Sequence, residues 1–201
     1  MPFRDFVYPD VMDALRLSLA EADLFDAVPA LALTPEFAER IHSGAGIAVN
    51  INSEKARSEF IVAPLLLELM RLRPKTFSIF SGIEFNVDPD RSLNGFCDFI
   101  LTRSLLQSVL KAPIMTIAEA KNDNIRSGLG QCIAAMVAAR EFNALASTDP
   151  ATIYGAVTTG SVWKFLKLVG SDLTLDRPEY SISEPGRVMG ILAEMLKPVV
   201  P

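Results

Sequence analysis

Apolar residues recur at helical intervals near the start of the chain, at Val11, Leu15, Leu19, Ala22 and Phe25, which predicts a helix over residues 9–27. Thr34-Pro35-Glu36 supplies an N-cap, a first-turn proline and a first-turn acid, so a second short helix is expected there. Ser43-Gly44-Ala45-Gly46 is expected to break the chain. Asn52 then opens a densely apolar segment that predicts a long buried helix, kinked at Pro64 because proline removes one backbone bond and crowds the preceding turn. From Phe77 to Asp88 the period changes to two, and strand signals recur over residues 95–102, 114–121, 152–158 and 162–169, the last two joined by a turn at Gly160-Ser161. A helix over residues 126–146 carries one face of Leu129, Ile133, Met136 and Val137 and another of small residues, so it should be buried on two sides. With a closing helix over residues 184–196, the order predicts an α/β fold with a mixed sheet flanked by helices. Residues 1–50 are read as an N-terminal helical extension and residues 51–201 as the functional domain.

The 201 residues are 50% hydrophobic, enough for one ordinary core. Mean hydropathy is high at +0.29, yet charges, Pro or Gly interrupt every apolar stretch before the roughly 18 residues a membrane span needs. No membrane association is expected. The amino terminus has acids and a proline where a secretory signal would be apolar, and Cys97 and Cys132 lie far apart without a zinc or disulfide pattern, so a cytoplasmic, reducing setting is expected.

The chemistry sits where charge interrupts apolar strands. Glu119 and Lys121 are two apart and share one strand face, at the end of the otherwise uncharged run Ile114-Met115-Thr116-Ile117-Ala118. Asp98 is the same anomaly within Phe96-Cys97-Asp98-Phe99-Ile100. Isolated charges in buried strands cost several kcal/mol, so a compensating group is implied. Two carboxylates from adjacent strands suit Mg²⁺, with the Ala120 carbonyl as a further oxygen ligand. Lys121 would then orient an activated water and offset charge developing at a phosphate. The plain alternatives are a buried Glu119–Lys121 ion pair and a turn-capping Asp98.

These residues resemble the P-D-(D/E)-x-K core of restriction-endonuclease-like nucleases, and Gly128-Leu129-Gly130-Gln131 is similar to the glutamine motif of the RecB-like branch. Glu54-Lys55-Ala56-Arg57, leading into Phe60-Ile61-Val62-Ala63-Pro64, resembles the opening helix of the amino-terminal nuclease domain of type I restriction enzyme R subunits. The stretch from Tyr154 through Gly160 to Leu166 resembles a late strand pair of that domain. The resemblance covers residues 53–169. It implies an Mg²⁺-dependent DNA endonuclease, with Mn²⁺ as substitute, in which Asp98, Glu119, Ala120 and Glu54 hold metal and Lys121 and Gln131 complete the catalytic set. Glu59 competes with Glu54 as the helix acid. The chain departs from the pattern at Ala135, where the RecB-like motif has tyrosine, and in lacking a proline just before Asp98.

Net charge is -5 and the sequence pI about 5.0, which counts against tight non-specific DNA binding but not against a local basic groove. Arg71, Arg73 and Lys75 are the tightest basic cluster and the expected nucleic-acid contacts. Glu84, Asn86 and Asp88 share a strand face that either lines the cleft or meets solvent. His42 is expected in a loop, and Trp163 and Tyr154 in packing rather than base stacking. DNA is the expected partner, a homodimer is compatible with paired sites, and ATP-driven restriction would need a separate specificity or motor partner. The competing function is a non-catalytic nucleic-acid-binding or assembly module that keeps the nuclease fold.

Overall fold

The computed structural model describes residues 2–122, 124–148 and 152–197. The fold is α/β, with a mixed sheet flanked by helices. Its strands are β1 (Ser18–Ala22), β2 (Ser78–Glu84), β3 (Phe96–Thr102), β4 (Ile114–Ala120), β5 (Ile153–Thr158), β6 (Val162–Val169), β7 (Asp172–Asp176) and β8 (Tyr180–Ser181). Seven run in the order β1-β7-β6-β5-β4-β3-β2, and β8 pairs with β6 off this path. β1 with β7 and β4 with β5 are parallel, and the remaining pairs are antiparallel. β4 is buried at all seven positions, which accounts for its nearly continuous apolar run.

The helices are α1 (Val11–Ala14), α2 (Pro35–Ile51), α3 (Glu54–Arg57), α4 (Ala63–Leu72), α5 (Ile125–Leu145) and α6 (Pro185–Met195). α5 shares one apolar cluster with the amino-terminal segment, including Phe3 and Val11. α2, α4 and α6 share the other, around Ile41, Leu65 and Ile191. Caps start three helices: Thr34 Oγ1 accepts from Phe37 N at 3.3 Å, Ser53 Oγ from Ala56 N at 3.2 Å, and Asn124 Oδ1 from Arg126 N at 2.8 Å. No helix among the described residues is long and apolar enough to cross a membrane.

Several expectations are corrected. The helix over residues 9–27 is confined to α1, and residues 18–22 form edge strand β1, which pairs with β7. The spacing of Leu15, Leu19 and Ala22 mimics a helical stripe, but Leu19 is 44% exposed and the backbone bonds of β1 go to its neighbour. α2 does not break at residues 43–46, so His42 is an exposed helix residue rather than a loop residue. Gly44 stays helical because the helices meet there: an added Cβ would lie 2.4 Å from the Phe60 carbonyl oxygen. That carbonyl is four residues before Pro64, which has no N–H to offer it. The expected kink at Pro64 is taken up by a π-helical turn over Ser58–Val62 between α3 and α4. α2 instead ends at Asn52, in the left-handed conformation. β7 and β8 extend the sheet beyond the five strands expected.

Buried Asn143 ties α5 to the start of β4, accepting from Ile114 N at 2.7 Å and donating to Ile114 O at 2.8 Å. Asn143→Ala leaves both Ile114 groups unpaired in the core and is expected to lower stability by about 2–3 kcal/mol in chemical denaturation.

Candidate active site

The sheet forks at one point. β3 and β4 pair only as far as Phe99 opposite Ala118. Beyond it, β4 continues along β5 to Ala120 opposite Thr158, while β3 continues along β2 to Phe96 opposite Glu84. Asp98 fills the fork, its Oδ2 accepting the Ala120 N–H at 2.8 Å, a donor left over where the β3–β4 ladder stops. Asp98, Glu119 and Ala120 therefore meet in the gap between two diverging strands.

Glu119 is 0% exposed, and neither carboxylate oxygen has a hydrogen-bond partner among the described residues. Lys121 Nζ stands 4.0 Å from Glu119 Oε2 but donates at 2.9 Å to Gln131 Oε1 on α5. Lys121 reaches Gln131 because residue 128 is glycine. A Cβ there would come within 2.8 Å of Lys121 Cγ and 2.7 Å of Val157 Cγ1. Burial pushes the Glu119 carboxyl well above its ordinary range. The Asp98 charge pushes it further, Lys121 opposes the shift, and Glu54 adds to it. Glu119 therefore holds its proton more tightly than an ordinary glutamate does.

Glu54 opens α3 and shares with Asp98 a cleft of about 450 Å³, lined also by Ser58, Glu59, Ser81 and Gly82. Glu59 is drawn off to Lys55 at 2.7 Å, whereas the charge of Glu54 reaches Glu119. Among the described residues no three acidic, histidine or cysteine side chains group closely enough to cage a metal ion. Two carboxylates and a carbonyl are nonetheless the donor set Mg²⁺ takes, since it keeps several waters. The Glu119 oxygens, buried beside a second carboxylate and short of partners, fit a cation. Cys97 and Cys132 are also buried nearby, and desolvation pushes both thiols up, away from the reactive thiolate.

The comparisons with known proteins decide little. No family model matches the sequence, and no curated protein matches it. Among solved structures, a chain of the "cryoEM structure DrdV-DNA complex" is similar at 10% identity with a TM-score of 0.47, over 84% of this chain and 14% of that one. A likeness that distant carries no weight here.

The basic cluster lies elsewhere. β2 starts at Ser78, opposite Thr102, which in turn faces Ile114 at the start of β4. Arg71, Arg73 and Lys75 precede that strand, so the length of β4, about 20 Å, separates their end of the sheet from the fork. Arg71 is also held by Glu68 in a two-pronged pair at 2.9 and 2.6 Å. The cations at the fork's end are ones the sequence pattern did not single out. Arg126 and Lys164 line a cavity of about 440 Å³ with Tyr8, Asn124 and Thr159, and with the acids Glu21 and Glu179. Residues so scattered along the chain carry no local motif. Trp163 and Tyr154 pack as expected: Trp163 is fully buried and donates to Gly160 O at 3.2 Å, and Tyr154 meets Phe25 at 6.1 Å between ring centroids. Asp88 caps a turn by accepting from Arg91 N, while Glu84 and Asn86 line a separate cavity beside Gln131.

The raised carboxyl has a measurable sign. Below its ordinary value of 4.5, Glu119 is protonated in both folded and unfolded chains, and as pH rises toward the folded-state value only the folded chain still binds that proton. Its contribution to stability is therefore full below pH 4.5 and is lost as pH rises through the folded value. In chelator, the pH dependence of melting temperature should fall less steeply for Glu119→Gln than for wild type above that pH.

Proposed function

We propose that this chain is a divalent-metal-dependent nuclease of the P-D-(D/E)-x-K type that hydrolyses DNA phosphodiester bonds internally, on a restriction-endonuclease-like core. The observation that carries this reading is Glu119, wholly buried, without hydrogen-bond partners among the described residues and beside the Asp98 carboxylate. Asp98, Glu119 and the Ala120 carbonyl would hold Mg²⁺ or Mn²⁺, with Glu54 reaching it across the cleft. The ion when bound supplies Lewis acidity and a lowered pKa for bound water.

The side chains do the remaining work. Lys121, held by Gln131 against the small-residue face of α5, points its ammonium at the same end of the sheet as the carboxylates. There it can orient the attacking water and offset charge on a phosphate oxygen. Asp98 keeps its carboxylate fixed by accepting the Ala120 N–H, which holds the two acidic strands at constant separation. Arg57 donates to the Asn122 side chain and to Thr159 O, bracing the loop after β4 against the β5–β6 hairpin.

The rival reading is an inert module in which Glu119 and Lys121 form a structural ion pair. The geometry favours catalysis over that reading, because a stabilising buried pair needs close, hydrogen-bonded contact, whereas Lys121 sits 4.0 Å away and bonds elsewhere. The direct test is cleavage of single- and double-stranded DNA and of RNA in Mg²⁺, in Mn²⁺ and in chelator. Wild type should cut DNA only with metal, Lys121→Ala should abolish cutting, and Gln131→Ala should slow it about 10–100-fold as a residue acting through Lys121. Cleavage that persists in chelator, or unchanged cleavage by Lys121→Ala, would overturn the proposal.

A further inference from the structure

Gln131, besides holding Lys121, lines a cavity of about 380 Å³ together with Phe3, Arg4, Glu84, Asn86 and Phe96. Phe96 is the first residue of β3 and is 63% exposed, although β3 is otherwise mostly buried. It stands two residues before Asp98, about 7 Å along the strand. Gln131 joins the two places: its Oε1 takes the Lys121 ammonium and its Nε2 approaches Phe96 O at 3.5 Å. Whatever rests on Phe96 is within reach of a nucleotide whose phosphate is at the fork.

The chemistry of the cavity suits a base rather than a backbone. An exposed aromatic ring offers a stacking face to any nucleobase. The Glu84 carboxylate can accept from a base amino group. Arg4 is mostly exposed, with its nearest acid, Asp5, at 3.9 Å, so its guanidinium is loosely held and can reach a phosphate. The chain's charge of -5 also limits how much affinity can come from phosphate contacts, which leaves stacking to supply it. A base paired and stacked within a duplex cannot present its face to Phe96.

We propose that this cavity receives one unpaired nucleobase of the substrate strand, stacked on Phe96, so that the candidate centre acts on single-stranded or frayed nucleic acid. The inference rests on the nuclease reading above.

Phe96→Trp makes the stacking visible, because the native Trp163 is fully buried and a second indole at position 96 would dominate any response to ligand. The variant is titrated with a single-stranded deoxyoligonucleotide and with the matching blunt duplex, in Ca²⁺ to hold back turnover, while anisotropy of the labelled nucleic acid reports binding independently. The single strand should quench emission saturably and the duplex should leave it nearly unchanged. Phe96→Ala should bind the single strand about tenfold more weakly than wild type, with little change for duplex. Unquenched emission in a variant that binds the strand, equal losses for strand and duplex in Phe96→Ala, or no single-strand binding by wild type would each overturn the base pocket. If wild type still cleaves with metal in those cases, the nuclease reading stands without it. Failure of wild type to cleave any nucleic acid defeats the underlying reading instead.

Discussion

A wholly buried carboxylate without a hydrogen-bond partner among the described residues is the constraint around which this end of the molecule is arranged. Glu119 lies in a strand buried on both faces, and the fold brings Asp98 beside it rather than a cation in direct contact. Such an arrangement opposes folding unless a proton or a cation relieves it. Its origin is topological. Past Phe99 and Ala118, β4 stays paired with β5 and β3 with β2, and in the gap where they part the Asp98 carboxylate of β3 accepts the Ala120 N–H of β4 beside Glu119.

Helix α5 completes the arrangement by close approach. Gly128 leaves room for Lys121 against the helix, and Gln131 takes its ammonium at 2.9 Å while Glu119 stands 4.0 Å away. The same glutamine also lines a cavity, so one side chain couples the charged fork to the exposed Phe96 ring. Across the fork, Arg57 is almost wholly buried and spends its donors on Asn52, Asn122 and Thr159, which makes it a brace and not a ligand contact.

Much of this was legible in the chain. The uncharged run ending in Glu119-Ala120-Lys121 announces a central strand, because only a strand covered on both sides is apolar at every position. Asp98 and Gln131 could be placed near it from the order of strands and the helix that follows. The fork itself could not be read, since it depends on which pairings stop at Phe99 and Ala118, and pairing is non-local. β1 was hidden by an accidental helical spacing on an exposed edge, where burial imposes no pattern. Arg71, Arg73 and Lys75 lie close in sequence yet precede the end of β2 opposite the fork, whereas Arg4, Arg126 and Lys164 line cavities at the fork's end from three distant segments. A charge cluster along a chain says little about a charge cluster in space.

Calorimetric titration of Mg²⁺ or Mn²⁺ into chelator-treated protein, repeated in buffers of different ionisation enthalpy, tests the central claim most directly. A metal ion that replaces the proton on Glu119 should bind saturably and release protons, and the number released should fall as pH rises. Glu119→Gln should lose both the high-affinity binding and the proton release. No saturable binding by wild type, or binding and proton release unchanged in Glu119→Gln, would contradict the account.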